Sequence, residues 1–130
     1  MSDPITILVI DDDPDIRLTL RVYLEDSGYT VCEAGDGKEG IEIFNNRRPD
    51  IVVTDLRMPK MDGFGVITAI KAQHRETPVI VITGTGDTLA TQETMRLGAC
   101  ECLIKPICDL RVLEVSIARA VEQIRRQAPS

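Results

Sequence analysis

The sequence contains no tryptophan, two tyrosines, two phenylalanines and a single histidine, His74. A site that stacks nucleic-acid bases needs more aromatic rings, so this class of protein is disfavoured. No apolar run reaches the ~18 residues of a membrane-spanning helix. The N-terminal Met1–Pro4 has neither the basic nor the apolar segment of a signal peptide. We therefore expect a cytoplasmic protein that does not bind membranes.

Positive charge is also scarce. Fifteen Lys and Arg residues face twenty-one Asp and Glu residues, which gives a net charge of −6. Direct binding to nucleic acid is disfavoured, because the phosphate backbone attracts basic surfaces. The length of 130 residues corresponds to one domain. We predict a single domain over residues 1–126, with residues 127–130 as a C-terminal tail or the start of a linker.

The four cysteines do not form a recognisable metal or disulfide pattern. They are Cys32, Cys100, Cys102 and Cys108. In a reducing compartment, we expect them to be free thiols. The spacing of the last three matches no common zinc site, and His74 is distant in the sequence.

Five short apolar segments alternate with five segments of helical period. The predicted strands are Ile5–Ile10, Tyr29–Cys32, Ile51–Thr54, Val79–Thr83 and Cys102–Ile104. The predicted helices follow them, opening at about residues 13, 36, 63, 87 and 109. Strands that are apolar on both faces are typical of a parallel sheet covered by helices on both sides. The pattern predicts an α/β fold with a doubly wound, five-stranded parallel sheet.

Polar residues follow four of the predicted strands. Asp11, Asp12 and Asp13 follow the first strand, and further polar residues stand at the ends of the third, fourth and fifth: Asp55, Thr83 and Lys105. The carboxyl ends of parallel strands form the usual functional crevice of such sheets. Clustered carboxylates repel one another unless a cation lies among them. Oxygen ligands favour a hard ion, Mg²⁺ first.

A phosphoryl group explains these residues together. Asp55 can act as the nucleophile, because carboxylates form aspartyl phosphates. A magnesium ion held by the other acids would screen the incoming negative charge. The Lys105 ammonium and the Thr83 hydroxyl can each bind a phosphoryl oxygen.

The sequence resembles the receiver domain of bacterial two-component response regulators over about residues 5–122. The resemblance rests on four segments: Ile7–Pro14, Asp55–Gly63, Ile82–Gly84 and Lys105–Pro106. It implies a flavodoxin-like sheet of order 2-1-3-4-5. It also implies that Asp55 accepts a phosphoryl group from a histidine kinase or a histidine phosphotransfer protein.

The resemblance further implies a metal site for Mg²⁺, with Mn²⁺ as an alternative ion. Asp12 would bind the metal directly and Asp11 through water. Asp55 and the backbone carbonyl of Arg57 would complete the protein ligands. Self-phosphorylation and slow autodephosphorylation would be the only chemistry, so the chain would not be an enzyme in the usual sense.

Other expectations concern the response to phosphorylation. Thr83 and Lys105 would hold the phosphoryl group, with a cis peptide bond before Pro106. The family usually has Tyr or Phe at the position of Cys102, where the ring changes rotamer on activation. The changed surface would comprise the fourth helix, fifth strand and fifth helix. It would contact a downstream effector domain or protein, or a second copy in a homodimer.

Two positions are expected to adjust the lifetime of the phosphoryl group. They are Arg57, two residues beyond Asp55, and Thr85, two residues beyond Thr83. In the family these positions vary, so the resemblance implies their role without implying a rate.

Two alternatives remain at this point. Gly35, Gly37 and Gly40 form G-x-G-x-x-G after a predicted strand, which is the pattern of a dinucleotide-binding loop. That interpretation assigns no role to Asp11, Asp12, Thr83 or Lys105. The other alternative is a degenerate receiver that acts only as an interaction module, although none of the acids or the lysine is missing.

Overall fold

A computed structural model describes residues 4–84, 88–105 and 109–127. Strands and helices alternate along the chain. The strands are β1 Thr6–Ile10, β2 Thr30–Ala34, β3 Ile51–Asp55, β4 Val79–Thr83 and β5 Glu101–Ile104. The helices are α1 Pro14–Asp26, α2 Gly37–Arg47, α3 Gly63–Gln73, α4 Thr88–Arg96 and α5 Arg111–Gln127.

The five strands form one parallel sheet of order β2-β1-β3-β4-β5, so the predicted fold is confirmed. Successive strand residues point to opposite faces, and each face has its own core. Ile7 and Val9 pack beneath α1 and α5, whereas Leu8 and Ile10 pack beneath α2, α3 and α4. Both faces are therefore covered, which explains why the strands are apolar throughout.

Some predicted boundaries were wrong by a few residues. β2 continues through Glu33 to Ala34, beyond the predicted end at Cys32. The charged Glu33 resembles a strand terminus in the sequence, but it lies within this edge strand and pairs with arginines of α1. At the C-terminal end, α5 includes Gln127, the last described residue, and the bounds of the domain stay a prediction.

Three helices begin at the edge where the strands end. Asp13, Asp36 and Asp62 are the N-caps of α1, α2 and α3, and each side chain accepts hydrogen bonds from backbone amides of the first helical turn. These caps satisfy amides that have no partner within the helix. Asp13 is thus used in starting α1, while its neighbours Asp11 and Asp12 remain at the end of β1. None of the helices in the described ranges is long and apolar enough to cross a membrane.

Candidate functional site

The strand register brings the predicted acids to one edge of the sheet. Ile10 of β1 pairs with Thr54 of β3, so Asp11 and Asp55 follow at adjacent strand ends. One carboxylate oxygen from each of Asp11, Asp12 and Asp55 lies within 4.8 Å of the others. Asp11 is only 3% exposed, and Asp12 is open to solvent. The structure thus assembles the predicted acidic cluster from two strands.

Lys105, the residue after β5, joins this cluster. Its Nζ lies 3.0 Å from Asp11 Oδ2 and 3.0 Å from Asp55 Oδ2. The Lys105 amide also donates to the Thr83 carbonyl at 2.7 Å, which fixes the start of its side chain beside the end of β4. A single ammonium therefore bridges two carboxylates and leaves the cluster with excess negative charge.

Burial and hydrogen bonding act in opposite directions on these groups. Burial raises the pKa of the Asp11 carboxyl above its ordinary value, although hydrogen bonds from the Asp13 amide and Lys105 oppose this effect. Burial alone would lower the pKa of Lys105, but its hydrogen bonds to Asp11 and Asp55 raise it overall. Lys105 is therefore charged at neutral pH, and a second cation would further relieve the crowded acids.

The orientation of the Asp55 side chain is set by the backbone amide of the next residue and by Lys105. The Leu56 amide donates to Asp55 Oδ1 at 2.7 Å, and Oδ2 faces Lys105. The Asp55 side chain is 11% exposed. The arrangement places Oδ2 beside a positive charge, which would stabilise an anionic group added at this oxygen.

The ligands available at this edge fit a hard divalent cation. Asp11, Asp12 and Asp55 supply only carboxylate oxygens, which Mg²⁺ and Mn²⁺ both accept. The carbonyl of Arg57, two residues beyond Asp55, remains the predicted fourth protein ligand. A bound Mg²⁺ would supply positive charge opposite the transferred phosphoryl group.

A protein-family model described as the response regulator receiver domain matches residues 7–118 of this chain. The chain belongs to the receiver domain family. It is 36% identical over 126 residues to response regulator MprA of Mycobacterium sp. (strain KMS), covering 97% of this chain and 53% of that protein. It is 34% identical over 122 residues to the probable transcriptional regulator ycf27 of Guillardia theta, covering 94% and 47%. The chain spans about half the length of these curated relatives.

A solved receiver domain from Clostridium thermocellum has the same fold. It superimposes with a TM-score of 0.91 at 33% identity, covering 95% of this chain and 99% of the other. As a receiver domain, the chain is a signalling phosphoacceptor and not a conventional enzyme.

Two residues of this receiver are predicted to respond to phosphorylation, and they lie at the end of β4 and within β5. Thr83 is the last residue of β4 and is almost fully buried. Cys102 is half-buried in β5, with its Sγ 4.0 Å from Thr91 Oγ1 of α4. Cys102 therefore contacts the helix that is expected to move. Thr85 and Pro106, with the predicted cis peptide bond, lie outside the described residues.

The glycines of the dinucleotide-like pattern have packing roles in the receiver. A Cβ atom at Gly37 would lie 2.2 Å from the Met61 carbonyl oxygen, and one at Gly40 would lie 2.4 Å from Ile10 Cδ1. The amide of Gly35 donates to the Glu39 side chain. The close approach of α2 to Met61 and Ile10 accounts for Gly37 and Gly40. The dinucleotide-binding alternative is therefore not favoured.

Sequence reasoning missed Arg17 and Glu33. Arg17 Nη1 donates to the Asp11 carbonyl at 2.6 Å, and its Nε donates to Glu33 Oε1 at 3.2 Å. In the sequence, Arg17 is a polar residue of an amphipathic helix and Glu33 follows a short apolar run. Neither position carries a local signal that it reaches the acidic edge.

Proposed function

We propose that Asp55 is the phosphoacceptor of this receiver. The observation that carries the proposal is the bridge from Lys105 Nζ to Asp55 Oδ2 and Asp11 Oδ2, both at 3.0 Å. It places a partly buried ammonium against the one acid that ends a central strand. Of the two acids that Lys105 bridges, Asp55 is the more accessible, since its side chain is 11% exposed and that of Asp11 is 4% exposed.

The proposed donor is a phosphohistidine of a histidine kinase or a histidine phosphotransfer protein. Asp55 Oδ2 attacks phosphorus, the new P–O bond forms, and the P–N bond to the histidine ring breaks. The electron pair of that bond returns to the ring nitrogen. Lys105, already within hydrogen-bond distance of Oδ2, then pairs with a phosphoryl oxygen, and the Thr83 hydroxyl binds another.

The proposed ion is Mg²⁺, with Mn²⁺ able to replace it. Asp12 would bind it directly, Asp11 through water, and Asp55 and the Arg57 carbonyl would complete the protein ligands. The donor set of three clustered carboxylates supports this assignment. The same chemistry includes phosphorylation by a small-molecule acyl phosphate and slow loss of the phosphoryl group to water.

The proposed output is a changed surface on α4, β5 and α5. Exposed apolar side chains on each of these elements support a contact surface: Leu89, Ile104 and Val112. The partner would be a downstream effector domain or protein, or a second copy of the chain. We place this signalling in the cytoplasm, because Cys32, Cys100 and Cys102 are free thiols, as is usual in a reducing compartment.

The phosphoacceptor assignment is tested by incubating the chain with acetyl phosphate and Mg²⁺ and measuring its intact mass. The wild-type chain should gain the mass of one phosphoryl group. Asp55→Asn should gain none, because the amide is not a nucleophile under these conditions. Asp26→Asn, which changes an exposed acid at the end of α1, is the matched control and should be labelled like the wild type. Wild-type labelling of Asp55→Asn would refute the assignment.

A further inference from the structure

Arg17 of α1 reaches the acidic edge by its side chain, although it takes no part in the proposed phosphoryl transfer. Its Nη1 donates to the backbone carbonyl of Asp11 at 2.6 Å. Its Nε donates to Glu33 Oε1 of β2 at 3.2 Å, and its side chain is 21% exposed. One guanidinium therefore connects α1, the end of β1 and β2.

The Asp11 carbonyl accepts this bond where the ladder between β1 and β2 ends. The last paired residues are Ile10 and Ala34, and the Asp11 amide still donates to the Ala34 carbonyl at 3.1 Å. β2 ends at Ala34, so within the described residues the ladder supplies no further β2 amide to the Asp11 carbonyl. Because β2 ends here, the carbonyl takes its donor from α1. A buried carbonyl without a partner would be costly.

This carbonyl lies in the peptide plane that joins Asp11 to Asp12. The plane is rigid, so holding its oxygen also holds the direction in which the chain continues to the Asp12 Cα atom. Asp12 is the exposed acid of the cluster, with its carboxylate free to meet an ion from solvent. A change in the tilt of this plane would move the Asp12 carboxylate away from those of Asp11 and Asp55.

We propose that Arg17 is a positioning residue for the metal site, which sets the Asp11–Asp12 peptide so that the three carboxylates converge. The proposal rests on the proposed function, because it assumes that these acids bind Mg²⁺. It assigns to a residue of α1 an effect on ion affinity that is exerted through the backbone and not by contact with the ion.

Arg17 acts by geometry more than by charge. Glu33 opposes its positive charge, and the second Glu33 oxygen accepts from Arg21 Nη1 at 2.8 Å. The planar guanidinium can donate to Asp11 and Glu33 at once from fixed positions, and the ammonium of a lysine cannot copy this arrangement. Replacement of Arg17 by lysine should therefore fail to restore the site although it retains the charge.

The test compares Arg17→Gln, Arg17→Lys and Arg21→Gln in the full chain, with MgCl₂ as the probe and isothermal titration calorimetry as the measurement. Loss of a residue that orients a metal ligand typically weakens affinity about tenfold or more. We expect such a loss of Mg²⁺ affinity for both Arg17 variants. Arg21→Gln is the matched control, since Arg21 shares Glu33 but does not contact Asp11, and its affinity should remain within about twofold of the wild type, well below the loss expected for an orienting residue.

Thermal melts without Mg²⁺ give the temperature range in which every variant is folded, and the titrations are made within it. A merely structural role would lower the melting temperature and leave the affinity of the folded protein unchanged. If Arg17→Gln does not fold, Glu33→Gln, which frees the guanidinium from its anchor, replaces it and should also weaken Mg²⁺ binding.

Wild-type affinity in the folded Arg17 variants, or in Glu33→Gln where it replaces them, would overturn the proposal. Full recovery in Arg17→Lys, or an equal loss in Arg21→Gln, would do the same. Failure of the proposed function gives a different result, in which the wild-type chain itself neither binds Mg²⁺ nor becomes phosphorylated on Asp55.

Discussion

Replacing Lys105 by methionine would remove the only cation bound to the Asp11 and Asp55 carboxylates within the described part of the chain. Methionine is similar in length and fills the same space, so the main change is the loss of charge and two hydrogen bonds. In the absence of Mg²⁺, we expect Lys105→Met to be less stable than the wild type. The reason is that Asp11 and Asp55 would lose their counter-charge and keep only the backbone amides of Asp13 and Leu56 as hydrogen-bond donors.

The expected size follows from the distances and exposure. Two contacts at 3.0 Å are each worth about 5 kcal/mol of Coulomb attraction at an effective dielectric constant of ~20, before the cost of desolvation. Breaking a fully buried pair costs roughly 3–5 kcal/mol, and a surface pair about 0–1 kcal/mol. Lys105 is 20% exposed, so we expect a net loss of about 2 kcal/mol. For a chain of this length, that lowers the melting temperature by roughly 8 °C.

The loss of stability caused by Lys105→Met, called the deficit below, should depend on pH in a defined direction. Burial raises the pKa of Asp11 above 3.8, so its ionised form is less favourable in the folded than in the unfolded state. The stability gained by protonating Asp11 is complete below that ordinary value and is lost as the pH rises through the raised pKa. Losing Lys105 raises this pKa further, so the deficit of Lys105→Met should be largest at neutral pH and shrink in mild acid.

Lysine titration does not disturb the comparison. Because the pKa of Lys105 is raised, its stabilising effect is present below 10.5 and is lost only as the pH rises through the higher value in the folded protein. Lys105 therefore stays charged throughout the neutral and acidic range, and the change of the stability loss with pH comes from the acids.

The assay is a set of thermal melts in EDTA from neutral to mildly acidic pH, repeated with millimolar Mg²⁺. Lys60→Met is the matched control, because Lys60 is exposed and lies 3.6 Å from Asp36 in a surface pair of small energetic value. Mg²⁺ should recover part of the stability of Lys105→Met by neutralising the same acids. A melting temperature equal to that of Lys60→Met at neutral pH, or a deficit that grows in acid, would refute the reasoning.

Three further predictions concern the metal, the phosphoryl lifetime and the conformational change. Mg²⁺ at ten times its dissociation constant should stabilise the wild type by about 1.4 kcal/mol, and Asp12→Ala should lose most of this shift in thermal melts. Phosphorylated Arg57→Ala should hydrolyse faster than the wild type in a decay assay, because the exposed guanidinium can pair with phosphoryl oxygens or crowd the attacking water; an unchanged rate would exclude this role. Beryllofluoride should change hydrogen exchange most across residues 84–97, because the threonine-rich α4 has low intrinsic helicity; a change confined to residues 101–104 would instead identify Cys102 as the switch.

Local periodicity was enough to predict the layers of this protein. Each strand is a short apolar run between segments of helical period, and these patterns depend on neighbouring residues alone. The convergence of Asp11, Asp55 and Lys105 was also predictable, although Asp11 and Lys105 are 94 positions apart. Parallel strands end at a common edge, so residues that follow different strands meet whatever their separation along the chain.

Only the tertiary structure decided how that edge is held in place. Arg17 donates to the Asp11 carbonyl because the pairing of β2 with β1 ends at Ala34. No sequence pattern marks where an edge strand stops pairing. Gly37 and Gly40 match a nucleotide-binding pattern in the sequence, yet the close approach of α2 to Met61 and Ile10 explains them. Periodicity specifies which face of an element is buried. The distance between two elements, and the donor that meets a given carbonyl, depend on how all of the elements pack together.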